Sequence, residues 1–180
     1  MGCPKALLRY GTETFLDTLT ALFATRCDPV VVVLGAHAAE IRLAATRPAT
    51  FVLNPDYAHG MTTSLQCGLR AVPPAAEGVL FTLVDHPAAS PPTLDALLAG
   101  GGQVRAPLLR VPRYRDKRGH PIWFSRELMP EFLALPAQGA ANEVVHRHAD
   151  RTEFLDLDDP GIVADIDSPE DYRALTGELA

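Results

Sequence analysis

The sequence predicts an α/β fold built on a doubly wound, mostly parallel sheet, and two observations carry that prediction. From Thr14 to Leu53 the apolar pattern alternates helix, strand, helix, strand, the order of a parallel sheet with covering helices. Farther on, Gly78-Val79-Leu80-Phe81-Thr82-Leu83-Val84-Asp85-His86-Pro87 contains a short apolar run bounded by Gly and Pro, the pattern of a strand buried on both faces. The run stops on a carboxylate. Ligands of an open α/β sheet sit just past the carboxyl ends of its strands. Asp85 is therefore placed either to hold a metal ion or to close a turn or cap a helix.

The totals bound the answer. A chain of 180 residues suits a single domain, residues 1–180, with a full core. Hydrophobic residues make up 47% and charged ones 21%, as in globular proteins. A net charge of -6 argues against a general nucleic-acid partner. A small anionic substrate stays possible, because a few local cations and a metal suffice. Cys3, Cys27 and Cys67 are widely spaced, without paired metal-ligand spacing; they read as free thiols in a reducing cytosol. The absence of a long apolar run predicts no membrane span, and the N-terminus lacks a signal-peptide layout.

In chain order, Met1 to Leu8 reads as a loop, with Lys5 the first lysine. Thr14 caps a helix to about Thr25, with Phe15, Leu16, Leu19, Leu22 and Phe23 on one face. Val30 to Leu34 is a strand, about Ala38 to Ala45 a helix, and Thr50 to Leu53 a strand. Asn54 to Met61 is a loop, and Thr62 or Thr63 is expected to cap a helix from Ser64 to Ala71. A helix start of this kind can receive a phosphate or ribose. A helix beginning near Ser90-Pro91 ends at Gly100-Gly101-Gly102. Val104 to Val111 is a strand. The basic stretch Arg113 to Pro121 is a hairpin tip that leads to a strand from Ile122 to Phe124. Helices follow at Glu127 to Leu135 and Ala140 to His148. His146 and His148, two apart, do not share a helix face and are not expected to pair on a metal. Thr152 to Leu157 is a strand, and the acidic turn at Asp156, Asp158 and Asp159 is expected to be solvated. Asp165 and Asp167 alternate along an extended segment and so point to one side. Ser168 caps a last helix with Pro169 at its first position.

Five short motifs stand in order along the chain. They are Met1-Gly2-x-Pro4-Lys5-x-Leu7-Leu8; Asn54-Pro55 with Gly60-Met61, Ser64-Leu65 and Gly68-Leu69; Asp85-x-Pro87; Gly119-His120-Pro121; and Asp165-Ile166-Asp167-Ser168-Pro169-Glu170-Asp171-Tyr172. Together they resemble the nucleotidyltransferases that make molybdenum cofactor dinucleotides, above all the cytidylyltransferase branch. The resemblance implies a Rossmann-type sheet like that of the nucleotide-diphospho-sugar transferases. It also implies transfer of a nucleotidyl group from CTP to the terminal phosphate of molybdopterin, with release of pyrophosphate. Mg²⁺ would be held by Asp85 with Asp165 or Asp167, and Lys5 would neutralise the triphosphate. Gly2, Asn54, Gly60, Met61 and Ser64 would contact the nucleotide, with Ser64 and the Gly60 backbone at ribose and base. Gly119 and His120, with Arg115, Lys117 and Arg118 nearby, would face the pterin phosphate. A molybdoenzyme or its maturation chaperone is the implied protein partner, and the cytoplasm the implied compartment. GTP in place of CTP, a sugar or polyol phosphate acceptor, and a non-catalytic cofactor-binding domain remain alternatives.

Two departures from the family pattern bear on these expectations. Members carry a first strand and a loop of the form Leu-Ala-Ala-Gly-x-Ser-x-Arg ahead of the Met-Gly-x-Pro-Lys motif, so the sheet is expected to lack that strand. After Gln138-Gly139-Ala140-Ala141, Asn142 stands where an arginine is common.

Overall fold

A computed structural model describes residues 3–99 and 106–177. Gly2 and the glycine run at 100–102 lie outside the described residues, as does the predicted strand start at Val104. In chain order the elements are β1 (Arg9–Tyr10), β2 (Glu13–Thr14), α1 (Phe15–Ala24), β3 (Val31–Leu34), α2 (Ala38–Ala44), β4 (Thr50–Leu53), α3 (Met61–Arg70) and β5 (Gly78–Phe81). They continue with α4 (Pro91–Leu98), β6 (Leu109–Tyr114), β7 (Lys117–Arg118), β8 (Ile122–Ser125), α5 (Met129–Leu133), α6 (Asn142–Arg147), β9 (Thr152–Asp156) and α7 (Pro169–Thr176).

Most helices start where the capping chemistry places them. The Thr14 hydroxyl accepts the Asp17 N–H at 3.0 Å. Ser168 and Asp171 form a reciprocal capping box at α7, with Pro169 first in the helix. The start of α3 differs from expectation. It begins at Met61, behind Gly60 in a φ of 126° that suits glycine. Thr63 does not cap, because its hydroxyl donates back to the Gly60 carbonyl at 2.8 Å.

The strands form a parallel pair, β3 with β4, and a mixed sheet in the order β5-β8-β6-β7 with β9 beside β6. The β6–β9 ladder is parallel, and β8 runs antiparallel to both β5 and β6. Helices cover both faces. Alternation along β5 sends Val79 and Phe81 into the cluster with Leu65 and Leu69 of α3, and Leu80 into the cluster with Leu19 and Phe23 of α1.

Two strands depart from the sequence reading. β6 runs on through Tyr114 instead of stopping at Val111. Its arginines are tolerated because the register sets Arg110 opposite Glu153 and Arg113 opposite Asp156, and both pairs bond. β5 stops at Phe81, four residues short of Asp85, and is half-buried throughout. Its ladder ends where Phe81 meets Ile122, the first residue of β8. Its other edge has no strand partner among the described residues, so no described strand pairs with Thr82 to Val84. The expected helix from Glu127 to Leu135 resolves into a 3-10 turn, Arg126–Leu128, and the short α5. No described helix is long and apolar enough to cross a membrane.

One buried carboxylate ties α1 to the rest. Asp17, 3% exposed, accepts the backbone N–H groups of Thr46 and Arg47 and the Thr46 hydroxyl. Burial pushes its pKa up, but the bonds from Thr46, Arg47 and Thr14 outweigh that and hold the carboxyl below its usual range. The folded value lies below the unfolded one, near 3.8. The stability it contributes is therefore present above that pH and is lost as pH falls through the folded value. Asp17→Ala should cost about 1–3 kcal/mol at neutral pH by stranding buried donors. In urea melts the gap from the parent protein should shrink as pH drops below the carboxylate range.

Candidate active site

Past the end of β5 the chain turns through Asp85-His86-Pro87, and the segment 159–167 folds against that turn. The Ile166 N–H donates to the Asp85 carbonyl at 3.1 Å, and Ile166 is 2% exposed. The same segment is held by the motif Gly119-His120-Pro121. The His120 N–H donates to the Ile162 carbonyl at 2.9 Å. Gly119 packs so closely that a Cβ would lie 2.3 Å from the Ile162 carbonyl oxygen. Asp159 supplies a third tie, accepting from the Ser90 N–H and hydroxyl, the Thr93 hydroxyl and the Gly161 N–H. Burial pushes the Asp159 pKa up, and these bonds outweigh it to hold the carboxyl low. The acidic turn expected to be solvated is thus, at Asp159, a latch onto the start of α4.

The result is a convergence of ligating atoms. Asp85, His86 and Asp165 each offer one atom, all within 4.8 Å of one another. One Asp85 oxygen, Oδ1, is buried without a hydrogen-bond partner, as is His86 Nδ1. The other Asp85 oxygen accepts from Lys5 Nζ at 3.1 Å, and the same ammonium donates to Asp167 at 2.5 Å. Burial pulls the Lys5 pKa down, but both carboxylates outweigh it and keep the amine charged. Asp165 is raised, first by burial and then by the charges of Asp85 and Asp167, with His86 and Lys5 opposing. Three carboxylates facing one lysine leave the site short of positive charge.

The remaining predicted residues take varied places. The buried Asn54 amide donates to the hydroxyls of Thr63 and Ser64, both at 2.9 Å, and its carbonyl accepts the Asp56 N–H. Asn54 therefore shapes the loop before α3 and orients Ser64. Met61 is 58% exposed at the start of α3, one position past Gly60. The His120 ring is turned inward, its centroid 4.8 Å from His86 and 5.9 Å from Phe81. Burial, then the neighbouring His86, lowers its pKa to about 4, so it is neutral at neutral pH. Arg115 and Arg118 lie on the hairpin tip, over the rings of Tyr114 and Phe154. His148 bonds Glu131, apart from His146. Sequence reasoning passed over His86, reading it as the spacer between Asp85 and Pro87; a histidine next to a strand-end carboxylate was the available signal.

A family model for the MobA-like NTP transferase domain matches residues 1–152. The chain belongs to this family. It is a nucleotidyltransferase with the fold of the nucleotide-diphospho-sugar transferases. The molybdenum cofactor cytidylyltransferase of Escherichia coli is 26% identical over 96% of this chain and 86% of its own length. Rv0371c from Mycobacterium tuberculosis, a solved structure, is 30% identical with a TM-score of 0.82, over 99% of this chain and 91% of that one. Its complex with manganese matches at 30% identity and a TM-score of 0.78, over 98% and 92% of the two chains.

Asp159→Ala should free the 159–163 turn from α4. The expected loss is about 1–3 kcal/mol in urea unfolding, with faster hydrogen exchange at residues 160–166 as the local check.

Proposed function

We propose that this chain transfers a cytidylyl group from CTP to the terminal phosphate of molybdopterin, releasing pyrophosphate, with Mg²⁺ as cofactor. The observation that carries the reading is the meeting of Asp85, His86 and Asp165 within 4.8 Å, next to a Lys5 shared by Asp85 and Asp167. The likeness to the Escherichia coli cytidylyltransferase supports the choice of CTP and molybdopterin. The donor set fits a divalent cation: Asp85 and His86 belong to one cluster with Asp165, and each of the two carries a buried, unpartnered polar atom. Asp85 and Asp165 would hold it, with Asp167 bordering the site through Lys5. Two carboxylates are the usual protein share for Mg²⁺. An imidazole suits transition metals more than Mg²⁺, and a structure of the mycobacterial relative is a complex with manganese.

When bound, the cation neutralises phosphate oxygens and aligns the attacking and leaving groups. The protein's own part is charge and position. Lys5 would add a point charge for the triphosphate from beside Asp85 and Asp167. In-line displacement at phosphorus depends on such positioning more than on covalent chemistry from the enzyme. Gly60, Met61 and Ser64 stand at the start of α3, where the helix N-terminus and the Ser64 hydroxyl would meet ribose and base. Neutral, inward-facing His120 supports His86, while Lys117 and Arg118 are the exposed cations nearest the Gly119-His120 motif for the pterin phosphate. Soluble substrates of this kind fit a cytoplasmic setting.

Pyrophosphate release with molybdopterin and either CTP or GTP tests the assignment: faster release with CTP is expected, and faster release with GTP moves it to guanylyl transfer. Asp85→Asn should lower Mg²⁺-dependent turnover by about a hundredfold or more, and unchanged turnover removes Asp85 from the site. His86→Ala should weaken Mn²⁺ binding, read by direct titration, more than Mg²⁺ binding.

A further inference from the structure

Two polar side chains of α3 are buried. Thr62 is 5% exposed and Gln66 8%, one helical turn apart on one face. Both reach the segment that carries Phe132 and Leu135, members of the main apolar cluster. A buried hydroxyl or amide is costly unless it is bonded, and these two are bonded to the main chain of that one segment. The Thr62 hydroxyl donates to the Gly139 carbonyl. The Gln66 amide donates to the carbonyls of Phe132 at 3.1 Å, Leu133 at 3.3 Å and Leu135 at 2.8 Å. Phe132 and Leu133 close α5, where a helix leaves carbonyls short of partners. The segment then doubles back through a turn in which the Gly139 N–H donates to the Pro136 carbonyl at 2.8 Å. That turn leans on the residue that opens α3: a Cβ on Gly60 would lie 3.3 Å from the Ala137 carbonyl oxygen. Pro136, Ala137 and Gln138 are exposed. The bonds from α3, rather than burial of its own side chains, therefore fix the turn.

We infer that Thr62 and Gln66 are positioning residues that set the size of the nucleobase site. The inference rests on the nucleotidyltransfer reading, which puts ribose and base against Gly60, Met61 and Ser64. The turn 136–139 borders that place through the approach of Ala137 to Gly60. Held from α3, the turn is a fixed wall. A fixed wall leaves room for a pyrimidine and shuts out the larger purine, discrimination by a clash built against the wrong partner. Released, the wall yields and the purine is admitted. The Thr62 hydroxyl and the Gln66 amide are spent on carbonyls of the 132–139 segment, so they act on the nucleotide only through that segment. From the other side, the Asn54 amide holds the Ser64 hydroxyl at 2.9 Å. The start of α3 is thus clamped by the loop before it and by the turn beside it. Each of these bonds replaces one to water, so its net effect on stability is modest, and what it chiefly fixes is geometry.

The test pairs Thr62→Val and Gln66→Met, which remove the donors and keep the bulk, with Thr62→Ser, which keeps the hydroxyl. Titration calorimetry with CTP and with GTP, in Mg²⁺ and without an acceptor, reads the affinity for each base. Pyrophosphate release with molybdopterin reads KM and kcat. The parent protein is expected to favour CTP. Thr62→Val and Gln66→Met should weaken CTP binding by about tenfold, the effect of one lost hydrogen bond. GTP binding should hold or tighten, so the CTP-to-GTP ratio falls. KM for CTP should rise while kcat stays within about twofold, the mark of lost binding and not of lost chemistry. Thr62→Ser should keep the parent's ratio, and Mn²⁺ titration should be the same in all four proteins. The Thr62 pair decides the outcome if Gln66→Met does not fold. Equal losses for CTP and GTP overturn the proposal, as does a Thr62→Ser protein no better than Thr62→Val. A parent that favours CTP, with variants that keep its ratio, overturns the proposal alone. A parent that favours GTP overturns the cytidylyl reading and the proposal with it.

Discussion

The hydrogen bond from the Ile166 N–H to the Asp85 carbonyl is the joint on which the site depends. It fastens a segment from the far end of the chain to the end of β5, and it brings Asp165 beside Asp85. Without it the acidic residues would belong to two separate loops. The joint holds because three other contacts carry the load around it: the Gly119-His120 backbone against Ile162, the Asp159 latch onto α4, and burial of the Ile166 side chain. The charges then settle within a frame made mostly of backbone hydrogen bonds and close packing. Lys5 bonds two of the three carboxylates but its single charge offsets only one, and the deficit that remains suits a cation.

Much of this was legible in the residues. The helix–strand alternation before Leu53 located β3, α2 and β4 almost to the residue, because each boundary carries local chemistry: β-branched runs, Gly35 and Asn54-Pro55. That Asp85 would meet Asp165 or Asp167 was legible through the motifs and not through periodicity, and the choice of Asp165 was not. What local rules could not reach was anything decided by a distant partner. The β5 ladder stops at Phe81 because β8 begins opposite it. β6 accepts two arginines because β9 supplies acids at matching positions. Asp159 looked like one more acid in a polar turn, and only the approach of Ser90 and Thr93 makes it an anchor. The same limit hid Asn54, whose amide is spent inside its own loop, and His120, whose basic neighbours suggested an outward face while Phe81 and His86 draw it in.

The fold therefore divides its labour. Clusters around α3 and α5 give a conventional core, with Phe124 and Phe132 each 1% exposed. The half built on α1, β3 and β5 holds the candidate site, and its strands are half-buried but for Leu34. Density of packing falls off toward the place where the substrate is proposed to bind.

Gly161 shows how unforgiving that arrangement is. A Cβ there would sit 2.0 Å from the carbonyl oxygen of Ala88, so two stretches of main chain touch with no side chain between them. The contact reaches no substrate, yet it sets the depth at which the acidic segment lies. An ordinary methyl group at that spot would act as a wedge, levering Asp165 off its neighbours, and a loss of chemistry would then trace back to a residue with no functional group at all.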